Sequence, residues 1–278
     1  MLKQRVITAI VLLALLLPAL FAAPAWPFAL LTLSMIGAAG WEWGRLNGGN
    51  GVAAIALGAA VAIAGGAALW AGWAGAAPAP LWWIATLLWV LGGTRSLAQG
   101  PAGWPRIPVA LRWGLGALLL WTAWLALANA KGIGVNFILS VFCLVWVADI
   151  AAYFGGRAFG HRKLAPAISP GKTWEGVGSG MAGVLVLAFA WLAVDRSVGV
   201  DAPSLYSRVD ARLGLAGLVL VVVFLAAMSV VGDLFESLVK RSVGAKDSSG
   251  LLPGHGGVLD RIDALLPVFP IAMAMAAL

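Results

Sequence analysis

Asp233 and Glu236 are three residues apart, and so are Asp260 and Asp263. On a helix that spacing puts each pair on one face. Four carboxylates on two neighbouring helix ends make an oxygen cage for a hard cation. Magnesium favours such a site, with a few carboxylates completed by waters and substrate phosphates. Lys240, Arg241, Lys246 and Arg261 flank the same acids. Acids and bases this close either neutralise one another or divide a metal–phosphate site between them, acids on the metal and bases on the phosphate oxygens. Gly254, Gly256 and Gly257 surround His255 and favour the second reading, because amides beside glycine approach an anion closely. Zinc is not indicated. The single cysteine, Cys143, is far in sequence from both His161 and His255, and there is no His-x-x-x-His pair.

A second polar stretch, residues 148–176, holds Asp149, His161, Lys172 and Glu175. Together with residues 232–263 it contains seven of the eleven acidic residues and both histidines. Gly171-Lys172-Thr173 invites comparison with a phosphate-binding loop. That motif needs a glycine where Pro166 stands and a strand before it, and nothing here reads as a strand. The match is rejected, although Lys172 is still a cation for a phosphate. Asp149 is explained as well by solvation at a helix end as by a role in a site. His161, next to Arg162 and Lys163, reads as a surface histidine. Trp174, like many of the fifteen tryptophans, reads as an interface anchor.

These residues need a scaffold, and the composition says which. Of 278 residues, 62% are hydrophobic and 10% charged, against about 25% charged in soluble domains. Apolar runs of membrane-spanning length recur along the chain. Nine are expected, at 5–23, 27–45, 51–74, 80–94, 108–129, 133–156, 174–195, 211–239 and 261–278. The fold expected is therefore all-α: a polytopic integral membrane bundle of about nine transmembrane helices. It divides into N-terminal spans 1–107 and a catalytic region 108–278 with polar loops at 157–173 and 240–260. A transmembrane barrel would alternate polar and apolar residues, which this chain does not. The alanine and glycine richness suits close helix packing. Cys143, inside an apolar run, reads as an inert buried thiol. The first 23 residues resemble a signal peptide but are expected to remain as the first span.

The net charge of +7 does not point to nucleic acid, because the basic residues are scattered between apolar spans. They follow the topology instead. With the N-terminus in the cytoplasm, Lys131, Arg196, Arg208 and Arg212 fall outside and the other fourteen of the 18 basic residues fall inside. Both polar stretches then face the cytoplasm. A charged loop between spans is ordinarily just solvated. Here the acids run into apolar helix ends, where a charge at mid-membrane costs about 2.5–3.5 kcal/mol.

The segment from Ser237 to Arg241, then Lys246-Asp247, then Leu252 to Gly257, then Asp260 to Asp263, closely resembles the signature of the phosphatidate cytidylyltransferase (CDP-diacylglycerol synthase) family. The resemblance extends to residues 169–176 and to Gly232-Asp233. It covers the C-terminal half, whereas the first hundred residues match only as generic apolar spans. It implies transfer of the cytidylyl group of CTP to phosphatidic acid, giving CDP-diacylglycerol and pyrophosphate. It also implies a divalent cation (usually Mg2+), about nine helices, a cytoplasm-facing site in the cytoplasmic membrane, and a homodimer. Asp233, Asp260 and Asp263 would then be metal-linked, and Lys240, Arg241, Lys246 and Arg261 would meet phosphates. Asp247 and His255 would belong to the catalytic set, and Lys172, Ser237, Gly254, Gly256 and Gly257 would contact substrate. Two rivals are a CTP-dependent polyprenol or phytol kinase, which would release CDP, and a transporter with an intramembrane ion site, which would place its acids near the midplane.

Overall fold

The protein is seen in a computed structural model that describes residues 2–278. Met1 and the side chains of Leu2, Lys3 and Arg5, two of which enter the charge count above, lie outside the described residues. The chain forms helices α1 (Leu2–Phe21), α2 (Trp26–Leu46), α3 (Gly51–Trp70), α4 (Ala79–Leu87), α5 (Thr94–Gln99), α6 (Val109–Ile133), α7 (Val135–Phe159), α8 (Trp174–Ser197), α9 (Leu205–Ser242), α10 (Leu259–Ile262) and α11 (Leu265–Ala276). It is an all-α membrane protein. Among the described residues, α3, α6, α7, α8 and α9 are long and apolar enough to cross a bilayer. The apolar part of α1, Val6–Phe21, is shorter, and α2 carries Glu42 and Arg45.

Four expectations are corrected. The fourth apolar segment does not stop at residue 94, because a wide turn at Leu88–Gly93 carries the helix on into α5, to Gln99. A Cβ on Gly93 would lie 3.2 Å from Val231, so the glycine also lets this helix pack closely on α9. The ninth segment is not one helix, since α10 and α11 are separate and Asp263 stands at the break. The stretch before Lys172 does contain a strand. β1 (Lys163–Ala165) pairs antiparallel with β2 (Ser169–Thr173), and Lys172 lies on β2. Finally, Trp43, Trp82, Trp89, Trp104 and Trp124 are buried rather than interfacial, although Trp174 is exposed.

Two packing arrangements set the site. In the first, α7 and α8 cross on small residues. A Cβ on Gly176 would meet the Ala152 carbonyl at 2.8 Å, and one on Gly180 would meet the Ala148 carbonyl at 2.9 Å. Such close approach is how helices associate without a hydrophobic driving force. In the second, Phe235 of α9 sits in a nest of tryptophans. It stacks on Trp43 at 6.0 Å and meets Trp89 and Trp104 edge-on at 5.4 and 5.3 Å. That nest fixes the rotation of α9, and with it the positions of Asp233, Glu236 and Lys240. It also ties the chain before residue 107 to the chain after it, because Trp43 belongs to α2 and donates from Nε1 to the Arg112 carbonyl at 2.9 Å.

Candidate active site

The signature loop folds around two carboxylates. Asp260 accepts from Lys240 Nζ on Oδ1 at 2.6 Å. Its Oδ2 accepts from Ser248 N at 2.9 Å, Ser248 Oγ at 2.8 Å and Gly257 N at 2.7 Å. Burial raises the Asp260 pKa, but these bonds outweigh it and hold the carboxyl at about 2. The second carboxylate is Glu42, reaching in from α2. It accepts from Val258 N at 2.9 Å, Leu259 N at 2.7 Å, Ser248 Oγ at 3.2 Å and Ser249 Oγ at 2.5 Å. Its position at the start of α10 is the favourable one for an anion.

The glycines serve these two carboxylates. Gly256 has φ +83°, and a Cβ there would come within 2.6 Å of Asp260 Oδ2. A Cβ on Gly257 would meet Glu42 Oε1 at 2.3 Å. Close approach of backbone to anion was expected here, and the anions it reaches are the protein's own.

Lys240 bridges the loop to α9. Its Nζ lies 2.5 Å from Glu236 Oε2 as well as 2.6 Å from Asp260, with all three side chains largely buried. Glu236 Oε1 has no hydrogen-bond partner among the described residues.

A more open group lies next to this one. Lys172 Nζ pairs with Asp233 Oδ2 at 2.5 Å, with about a quarter of each side chain exposed. Ser237 Oγ is 3.4 Å from Asp233 Oδ1. Asp263 accepts from Ala264 N at 2.8 Å and feels the charges of Asp233, Lys240 and Lys172. Burial, and then the Asp233 charge, push the Asp263 pKa up. Gly232 brings the two acids together, since a Cβ there would stand 2.5 Å from the Asp263 carbonyl oxygen.

Asp233 and Lys172 line a cleft of about 650 Å³. Asp149, Tyr153 and Arg157 of α7, Ser169 and Gly171 of β2, and Val177 and Val230 complete much of its wall. Asp149, left open in the sequence, therefore faces the Lys172–Asp233 pair.

The remaining sequence candidates are more peripheral. Arg241 donates to the carbonyls of Ala245 at 2.9 Å and Ile168 at 3.4 Å, tying α9 to the hairpin. Arg261 Nε donates to the His255 carbonyl at 3.1 Å. His255 Nδ1 is buried with no hydrogen-bond partner among the described residues. Lys246, Asp247 and Gly254 are exposed on the loop.

Asp233, Asp260 and Asp263 do not form one cage. Among the described residues, no three His, Cys, Asp or Glu side chains group closely enough to hold a metal ion. Asp260 Oδ2 is saturated by three donors, whereas Asp233 and Asp263 keep acceptor capacity. Glu42 escaped the sequence reading. The signal was there, because it is the only acidic residue before Asp149 and it falls inside an apolar run.

Comparisons with known proteins give the family. Residues 3–278 match the cytidylyltransferase family, and the chain belongs to it. A phosphatidate cytidylyltransferase of Pseudomonas aeruginosa is 41% identical over 289 residues, covering 99% of this chain and 97% of the relative. Proteins of the same name are 50% identical over 137 residues in Haemophilus influenzae (49% of this chain, 44% of the relative) and 39% over 150 residues in Bacillus subtilis (54% and 51%).

Proposed function

We propose that this chain transfers the cytidylyl group of CTP to phosphatidic acid, giving CDP-diacylglycerol and pyrophosphate for phospholipid synthesis. The observation that carries the reading is family membership along the whole chain, with a full-length relative of that name. The site chemistry supports it. The lipid phosphate is already an anionic nucleophile, so one of its oxygens attacks the α-phosphorus of CTP without a strong base. The bond from that phosphorus to the bridging oxygen breaks, and pyrophosphate leaves with the electron pair. The barrier is the meeting of two polyanions, which positioned cations lower. Lys172 is placed for that work, and Lys246 and Arg261 offer cations on the exposed loop.

Magnesium is part of the proposal. Asp233 and Asp263 are the carboxylates with spare oxygens, and two carboxylates completed by water and phosphates suit that ion. When bound, it would offset charge on the phosphates. The remainder of the proposal is topological: about nine spans in the cytoplasmic membrane, with the N-terminus and both polar stretches in the cytoplasm. The basic-residue count and the correspondence of helices to apolar segments support this. Homodimer formation rests on the family resemblance.

The test uses purified full-length protein with labelled CTP, phosphatidic acid and magnesium. CDP-lipid and pyrophosphate should form in equal amounts, and Asp263→Asn should abolish both. Release of CDP would identify a kinase instead, and no turnover of CTP would sink the enzyme reading.

A further inference from the structure

We propose that the cleft between α7, β2 and α9 is the seat of the phosphomonoester of the lipid substrate, with Arg157 as its cation. This rests on the cytidylyltransferase reading and assigns one of its two substrates to a place.

Three observations converge. The first is charge. Lys172 is paired with Asp233, and Asp149 lines the same cleft, so its one lysine faces two carboxylates. Arg157 lines the same cleft, is exposed, and forms no ion pair among the described residues. A guanidinium suits a phosphate, because its fork of donors matches two phosphate oxygens.

The second is depth. Arg157 is in the last turn of α7 and Trp174 opens α8, so the cleft lies where two apolar helices meet the polar stretch. Tyr153, Phe154 and Trp174 are exposed at this level. Aromatic rings of that kind sit at the headgroup region of a bilayer.

The third is the wall. Beside its charged groups, Ala152, Gly156, Gly176, Val177 and Val230 give the cleft a stretch of small, apolar wall, which suits the glycerol end of a lipid more than a nucleotide. Lys246 and Arg261 are exposed on a different element, the signature loop, which leaves that side for the water-soluble substrate.

A plainer account of Arg157 exists. A basic residue in a last helical turn complements the helix dipole and follows the positive-inside bias. That account predicts no difference between Arg157 and another exposed cation on the same expected face, such as Arg95.

The test is direct binding, read by native mass spectrometry of the purified full-length protein in detergent, with phosphatidic acid, diacylglycerol and CTP as separate probes. Wild type should retain phosphatidic acid over diacylglycerol. Arg157→Ala should weaken phosphatidic acid binding by roughly 10- to 100-fold, the size of a lost charge-assisted hydrogen bond. Arg157→Lys should recover part of it, while Arg95→Ala and CTP binding stay as in wild type. Equal loss in Arg157→Ala and Arg95→Ala, no loss in Arg157→Ala, or loss of CTP binding in its place would each overturn the assignment. Because binding is read without turnover, normal phosphatidic acid binding with no CDP-lipid formed would reject the reaction and leave the cleft standing.

Discussion

The signature loop and the adjoining cleft use the same residue types to opposite ends. In the loop, Asp260 and Glu42 accept eight hydrogen bonds between them, mostly from amides and hydroxyls a few residues apart. In the cleft, Asp233 has one short partner, Asp149 lines the same wall as Lys172, and Arg157 forms no ion pair among the described residues. A buried carboxylate with its lone pairs filled is an anchor. One left partly unfilled, beside an open cleft, has capacity for a ligand. Carboxylates alone therefore do not mark the chemistry here; how far each is satisfied does.

The sharpest way to break this contrast is Lys240→Met. It strips the shared cation from Glu236 and Asp260, both largely buried, and removing one partner from such a pair costs about 3–5 kcal/mol. Thermal unfolding in detergent should register a loss of that order, and a near-neutral result would mean the cluster is solvated. Next is Asp233→Asn, which should leave unfolding nearly unchanged while lowering CDP-lipid formation about 100- to 1,000-fold, the usual effect of deleting one preorganised electrostatic group. If stability fell and activity did not, the cleft would be the anchor and the contrast would be inverted.

Glu42→Gln should have the opposite profile to Asp233→Asn. It weakens charge-assisted bonds from two amides and two hydroxyls, each worth about 1.5–3 kcal/mol. The loop should loosen, and limited trypsin should cut faster after Lys246; unchanged cleavage would remove Glu42 from the anchor. The smallest effect is the pH response of Asp260. Its carboxyl is held at about 2 against an ordinary 3.8. A lowered acid contributes stability that is complete above the ordinary value and is lost as pH falls through the folded one. The gap in stability between wild type and Asp260→Asn should therefore shrink between roughly pH 4 and pH 2. A constant gap would mean that the bonds to Asp260 do not depend on its charge.

Much of this molecule was legible in advance, and the reasons are local. Long apolar runs declare membrane helices because each must satisfy its own backbone. The acids at 233, 236, 260 and 263 stood out because charge is rare in such a chain. The hairpin at 163–173 was not legible, since two strands of three and five residues leave almost no alternation to detect. The helix break at Asp263 was hidden for a related reason: the residues on either side of it are apolar, and hydropathy does not register a two-residue interruption.

What the sequence determined by itself is the class of scaffold, the family, and the pool of residues able to meet a metal or a phosphate. Those follow from composition and from fixed spacing along one chain. Only the tertiary structure decided how that pool divides. Glu42 meets Leu259 across 217 positions, Lys172 meets Asp233 across 61, and Gly232 allows Asp263 to approach Asp233. The physical reason is that a carboxylate's role depends on which donors reach it, and those donors come from helices whose relative placement is set by packing at tryptophans and glycines far away in sequence.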